Sequence, residues 1–133
     1  MSLTRKEANR IADAAIAKAE ALGIGINVAV VDSGGRLIVF QRMDNTTWAG
    51  MYGSQGKAIA SAAFGRSSAE LQERAGHPTL IGIRVAEGDH MIFGQGAMPV
   101  FRDGRVIGAC GVGGGTAQED EDCAVAGIAA LGQ

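Results

Sequence analysis

Ala8, Ile11, Ala12, Ala15, Ile16, Ala19 and Leu22 recur at intervals of three and four residues, the period of one helix face. Thr4 and Glu7 stand before them at the spacing of a capping box, and Gly23 and Gly25 follow, so a first helix is predicted up to Leu22. Ile26 to Val31 is then mostly β-branched, with Leu37 to Phe40 as its partner across Asp32-Ser33-Gly34-Gly35-Arg36. Glycine-rich turn chemistry between two such runs predicts an antiparallel hairpin. After the polar loop Asn45-Thr46-Thr47, Trp48 to Phe64 returns to helix-compatible residues. Ser67 and Glu70 repeat the capping spacing and predict a short helix ending near Gly76, where His77-Pro78 breaks the chain.

Thr79 to Ala86 fits a strand or irregular chain, and Met91 to Phe93 predicts a strand. Met98 to Phe101 and Val106 to Val112 flank Arg102-Asp103-Gly104-Arg105, and Asp-Gly suits a two-residue hairpin turn. Gly113-Gly114-Gly115 then leads to Thr116, which with Glu119 caps a last helix to Leu131, closed by Gly132. The predicted order, α-β-β-α-(α)-β-β-β-α, has no strand–helix–strand rhythm. It predicts an α+β fold, an antiparallel sheet with helices packed on it, in one domain over residues 1–133.

Composition sharpens this picture. Alanine (23 residues) and glycine (21) fill about a third of the chain, while aromatic residues are 5%. Side chains this small bury little area each, so stability must come from close backbone approach or from a partner's surface, and a homo-oligomer is expected. The formal charge of −2 lacks the basic face of a nucleic-acid binder. No apolar run approaches the length of a membrane span, and the N-terminus carries charge but no hydrophobic signal core. Cys110 and Cys123 lack metal-ligand spacing. A cytoplasmic protein with reduced thiols is expected.

Candidate chemistry is sparse. Gly111-x-Gly113-x-Gly115 lies between a strand and a helix, as in a dinucleotide fingerprint. Thr116 occupies the last glycine position, however, and Glu119, Asp120, Glu121 and Asp122 would repel a phosphate at that helix start. Those carboxylates suit the helix dipole or face a ligand or interface. His77 and His90 are loop residues or iron ligands. Arg42, Asp44 and Lys57 are either an ion-pair set or a site where Arg42 or Lys57 holds a ligand carboxylate. Asp44 and Glu119 are the candidates for moving a proton. Gly50, Gly53 and Gly56, three residues apart, offer a bare stripe to another backbone or a flat ligand.

Several blocks together resemble the GlcG/HbpS family: Val31-Asp32-Ser33-Gly34-Gly35, Arg42-Met43-Asp44, Lys57-Ala58, Gly96 through Pro99, Gly108-Ala109-Cys110-Gly111-Val112-Gly113-Gly114, and the acidic Gln118-Glu119-Asp120-Glu121-Asp122. They occur in the family's order over nearly the whole chain. The resemblance implies a profilin-like fold, homo-oligomers, and kinship with haem-binding and haem-degrading proteins and with the domain attached to some corrinoid adenosyltransferases. It further implies a tetrapyrrole or small organic acid held in a cleft near a subunit interface. The expected function is therefore haem or tetrapyrrole binding, with a part in haem degradation. The alternative is a cofactor-free enzyme or enzyme accessory acting on a hydroxy or keto acid. Expected ligand-binding residues are Arg42, Asp44, Lys57, Gly53, Gly56, Pro99 and Gly113, and His77, with His90 next, is the candidate for haem iron.

Overall fold

The computed structural model describes residues 1–132. In chain order these form α1 (Arg5–Leu22), β1 (Asn27–Asp32), β2 (Leu37–Arg42), α2 (Gly50–Phe64), α3 (Ser68–Glu73), α4 (Pro78–Ala86), β3 (Ala97–Arg102), β4 (Arg105–Gly113) and α5 (Ala117–Ala129). The strands make one antiparallel sheet in the order β2-β1-β4-β3. It is the α+β, profilin-like arrangement expected from the resemblance.

Local chemistry sets most boundaries. Thr4 with Glu7 and Thr116 with Glu119 form reciprocal capping boxes at the starts of α1 and α5, and Gly23 turns left-handed (φ 72°) to stop α1. Asp103 and Gly104 both have positive φ (53° and 75°), the geometry of a type I′ turn whose twist suits a hairpin.

Alternate residues of the sheet serve two layers. Val28, Val30, Cys110 and Val112 pack with Ile11, Ala12, Ala15, Cys123 and Ala124 of α1 and α5. Val31 and Ala109 face Ala58 and Ala62 of α2 on the other side. The small residues allow this closeness. A Cβ added at Gly111 would lie 2.1 Å from the Ser54 carbonyl oxygen, and one at Gly127 would lie 2.7 Å from that of Ile11. α2 therefore lies directly on β4, and α5 directly on α1.

The sequence expectation departs from the structure in two places. Met91–Phe93 is not a strand. Met91 and Phe93 are buried and Ile92 is exposed, the alternation of a strand, but the Ile92 N–H donates to Gly56 O of α2 (3.1 Å). The partner is a helix, so residues 90–96 form an irregular strap. Thr79 to Ala86, expected as strand or irregular chain, belongs to α4. His77, read as part of a break, is the N-cap: its Nδ1 accepts from the Thr79 N–H (3.2 Å), with Pro78 in the first turn. None of the residues of α4 is buried, so no amphipathic pattern marked it.

β3 is an edge strand. Gly96 O accepts from the Val112 N–H (3.0 Å), which by antiparallel alternation turns Ala97 and Pro99 toward the free edge. There the Ala97 N–H donates to Ser68 Oγ (2.8 Å), and Pro99 has no N–H to offer.

Candidate functional site

Because Ser54 and Ala58 lie against the sheet, Tyr52, Gln55 and Ile59 fall on the outer side of α2. Two adjoining cavities open there. One, of about 450 Å³, lies between Gly35–Leu37 of the first hairpin and Ala86–Glu87 at the end of α4. The other, of about 370 Å³, is lined by Tyr52, Gly56 and the strap residues Asp89, His90 and Ile92. Gln55, Ile59 and His90 line both, so the two form one groove with His90 at their junction. Its walls are chiefly apolar, and charges sit at the rim. Arg36 Nη1 is 3.5 Å from Glu87 Oε1, with side chains 73% and 36% exposed, and Arg84 Nε is 3.0 Å from Asp89 Oδ1. Exposed pairs of this kind hold a wall with at most about 1 kcal/mol each.

Of the residues singled out in the sequence, His90 and Gly56 meet in this groove. Gly56 is covered by the strap, since a Cβ there would lie 2.5 Å from Ile92 Cγ1 and 3.0 Å from His90 O. The three-glycine stripe is divided among different neighbours: Gly50 packs under Asn27 and Gly113, whereas nothing lies within 4 Å of a Cβ at Gly53. Gly113 thus contacts the start of α2. His77 is exposed at the start of α4. Pro99 lines a separate cavity of about 390 Å³ with Phe101, Glu121 and Val125. Arg42, at the end of β2, and Asp44, in the following turn, are exposed, and neither lines any of the four principal cavities. Glu119 Oε1 accepts from the Thr116 N–H (2.9 Å).

Lys57 reaches away from the groove. Its Nζ lies 3.4 Å from Asp120 Oδ2, with both side chains more than nine-tenths buried, and donates to Gln95 O (3.3 Å). Asp120 Oδ1 accepts from the Gly115 N–H (2.8 Å). Burial lowers the Lys57 pKa from its ordinary value, with the Asp120 carboxylate opposing that shift. Burial raises that of Asp120, against the pull of the Lys57 ammonium and the Gly115 N–H. In the sequence Asp120 stands among four carboxylates that suit the helix dipole or face a ligand or interface, and nothing there marks it as the partner of Lys57. The available signal was a lysine among apolar helix residues, which needs a buried acid. The sequence reading missed Tyr52, Gln55, Ile59, Arg36 and Glu87, which only the tertiary fold brings together.

Among the described residues, no group of three or more His, Cys, Asp or Glu is arranged to hold a metal ion. Both cysteines are buried free thiols. Burial pushes Cys110 up to about 12 and Cys123 to about 11. No helix among the described residues is long and apolar enough to cross a membrane.

A helix-covered antiparallel α+β domain with a side groove and one histidine at its centre is the class that fold and site define. The chain belongs to the HbpS-like family, described as haem degrading protein HbpS-like, whose model matches residues 3–129. Protein GlcG of Escherichia coli K12 is 31% identical over 110 residues, 83% of this chain and 80% of that protein. A double mutant of Streptomyces reticuli HbpS superposes with a TM-score of 0.89 at 29% identity, covering 100% of this chain and 89% of that one. The PduOC:haem complex superposes with a TM-score of 0.87 at 26% identity, covering 98% and 95%. Haem binding is thus a property found within this family.

Proposed function

We propose that this protein binds haem or a related tetrapyrrole in the groove outside α2, with His90 as the donor to iron. The observation that carries the reading is the place of His90, a residue that lines both of two adjoining cavities of about 450 and 370 Å³. The size falls within the range of small-molecule sites, and a relative of the same fold is known as a haem complex. The residues present fit such a group. Ile59, Ile92 and Leu37 supply apolar surface, Tyr52 an aromatic face, and Arg36 at the rim a guanidinium for a propionate. Bound haem would supply a redox-active iron. The protein's own part is to present a neutral imidazole, exclude water with Ile59 and Ile92, and hold the ring's carboxylates. Ring degradation, named in the family's description, belongs to the same reading as a step after binding.

Two finer readings accompany it. α4 leaves Ile81 and Val85, four residues apart on one face, exposed at 38% and 61% and packs extensively on no other element, which supports a second copy of the chain covering this face beside the groove. Buried free thiols suit a reducing compartment and support a cytoplasmic setting.

Titration of the purified protein with haemin, followed at the Soret band, tests the site. A saturable shift is expected that His90→Ala abolishes and His77→Ala preserves. No saturable shift, or one unchanged in His90→Ala, overturns the assignment. Bleaching of the bound chromophore under oxygen with a reductant distinguishes degradation from simple carriage.

A further inference from the structure

The strap of residues 90–96 brings His90 to the groove, and its backbone is tied at each stage. Ile92 N–H donates to Gly56 O (3.1 Å) and Gly96 O accepts from Val112 N–H (3.0 Å). Gln95 N–H donates to Gln72 Oε1 (2.7 Å), and Gln95 O accepts from Lys57 Nζ (3.3 Å). The last tie is the one made by a buried charge. The same ammonium holds Asp120 (3.4 Å), whose other oxygen takes the Gly115 N–H (2.8 Å). The chain crosses this pair at Gly96, with φ +138°, where a Cβ would lie 2.5 Å from Lys57 Nζ, 2.9 Å from Val112 O and 3.0 Å from Asp120 Cβ. One ammonium therefore joins α2, the strap and the first turn of α5.

Two apolar side chains of similar volume would fill this space at equal or lower cost, because burying both charges forfeits their hydration. What they would lack is a donor aimed at the Gln95 carbonyl and an acceptor for the Gly115 N–H. We infer that Lys57 is a positioning residue for the groove: through Gln95 it fixes the strap, and so sets the orientation in which His90 meets a ligand. The inference rests on the reading of His90 as the iron donor, on which Lys57 acts only through the strap carbonyl it holds at Gln95. Losing groups that orient a metal-bound histidine typically weakens metal binding about 10–100-fold.

The test compares the full-length parent, Lys57→Met with Asp120→Leu in one chain, and His90→Ala. The double variant keeps the volume and leaves no unpaired charge, so it folds where Lys57→Met alone would fail. Hydrogen exchange without haemin gives the first readout: the Ile92 and Gln95 amides are expected to exchange about tenfold faster in the double variant, with Tm close to that of the parent. The haemin titration gives the second, with affinity lowered about tenfold or more and a Soret band shifted from the parent's. A double variant with parental exchange, or with faster exchange but a parental haem spectrum and affinity, overturns the inference. If His90→Ala also leaves the spectrum unchanged, the groove reading itself has failed, and this inference falls with it.

Discussion

Glycine positions that look alike in the sequence have opposite consequences here. At Gly111 a Cβ would lie 2.1 Å from Ser54 O and 2.8 Å from Ala58 N, both backbone atoms of α2, so accommodating it requires lifting the helix off the sheet. Gly111→Ala is expected to cost about 3 kcal/mol or more in urea unfolding, the scale of severe overpacking. At Gly53, with nothing within 4 Å, Ala removes only the conformational cost of a helical glycine, and a gain of about 0.5–1 kcal/mol is expected. The Lys57–Asp120 pair gives a second residue-scale contrast. Lys57→Met alone leaves a buried carboxylate and is expected to cost about 3–5 kcal/mol, whereas the double change with Asp120→Leu recovers most of it. The pH dependence follows from the two shifts. Lys57 has a pKa below 10.5 in the fold, so the unfolded chain binds more protons in that alkaline window and stability there rises with pH. Asp120 has a pKa above 3.8 in the fold, so the folded chain binds more protons in that acid window and stability there rises as pH falls. Relative to the parent, the double variant is therefore expected to fare best near neutrality and to lose ground on both sides. Thiol labelling checks a third point. With Cys110 near 12 and Cys123 near 11, both buried, neither should react with a thiol reagent at pH 8 until the protein unfolds.

Elements were readable in the sequence where the signal was local. The two hairpins follow from Asp32–Arg36 and Asp103-Gly104, and α1 and α5 from their capping boxes. Replacing Thr116 by Ala removes one such box and is expected to cost about 1 kcal/mol, measurable as a lower denaturation midpoint. What escaped was set by partners distant in sequence. Met91 and Phe93 do alternate inward, but the strap lies on a helix, and a period of two cannot say what the backbone will bond to. α4 shows no buried face, so periodicity had nothing to register. The candidate site was less readable than the fold for the same reason. His90 and Gly56 were named from the sequence, but Arg36, Gln55 and Ile59 acquire their meaning only when the first hairpin, α2 and the strap meet. Lys57 was singled out correctly as unusual, while its partner lies 63 positions away.

For the molecule as a whole, the small residues serve the first of the two uses that composition offered, close backbone approach. They let α2 press on β4 and α5 on α1 within a single chain. The case for self-association rests instead on α4, whose Ile81 and Val85 face solvent. Placing a charge there, as in Val85→Asp, is expected to leave the monomer's stability within about 0.5 kcal/mol while shifting the mass measured by light scattering from oligomer to monomer. An oligomer indifferent to that change would move the contact elsewhere.

The outer margin of β3 bears on what such assemblies can become. With the Ala97 amide already held by the Ser68 hydroxyl and a proline two residues on, a neighbouring chain finds no ladder to extend on that side. Growth into ribbons or fibrils through that margin is blocked even in a crowded solution.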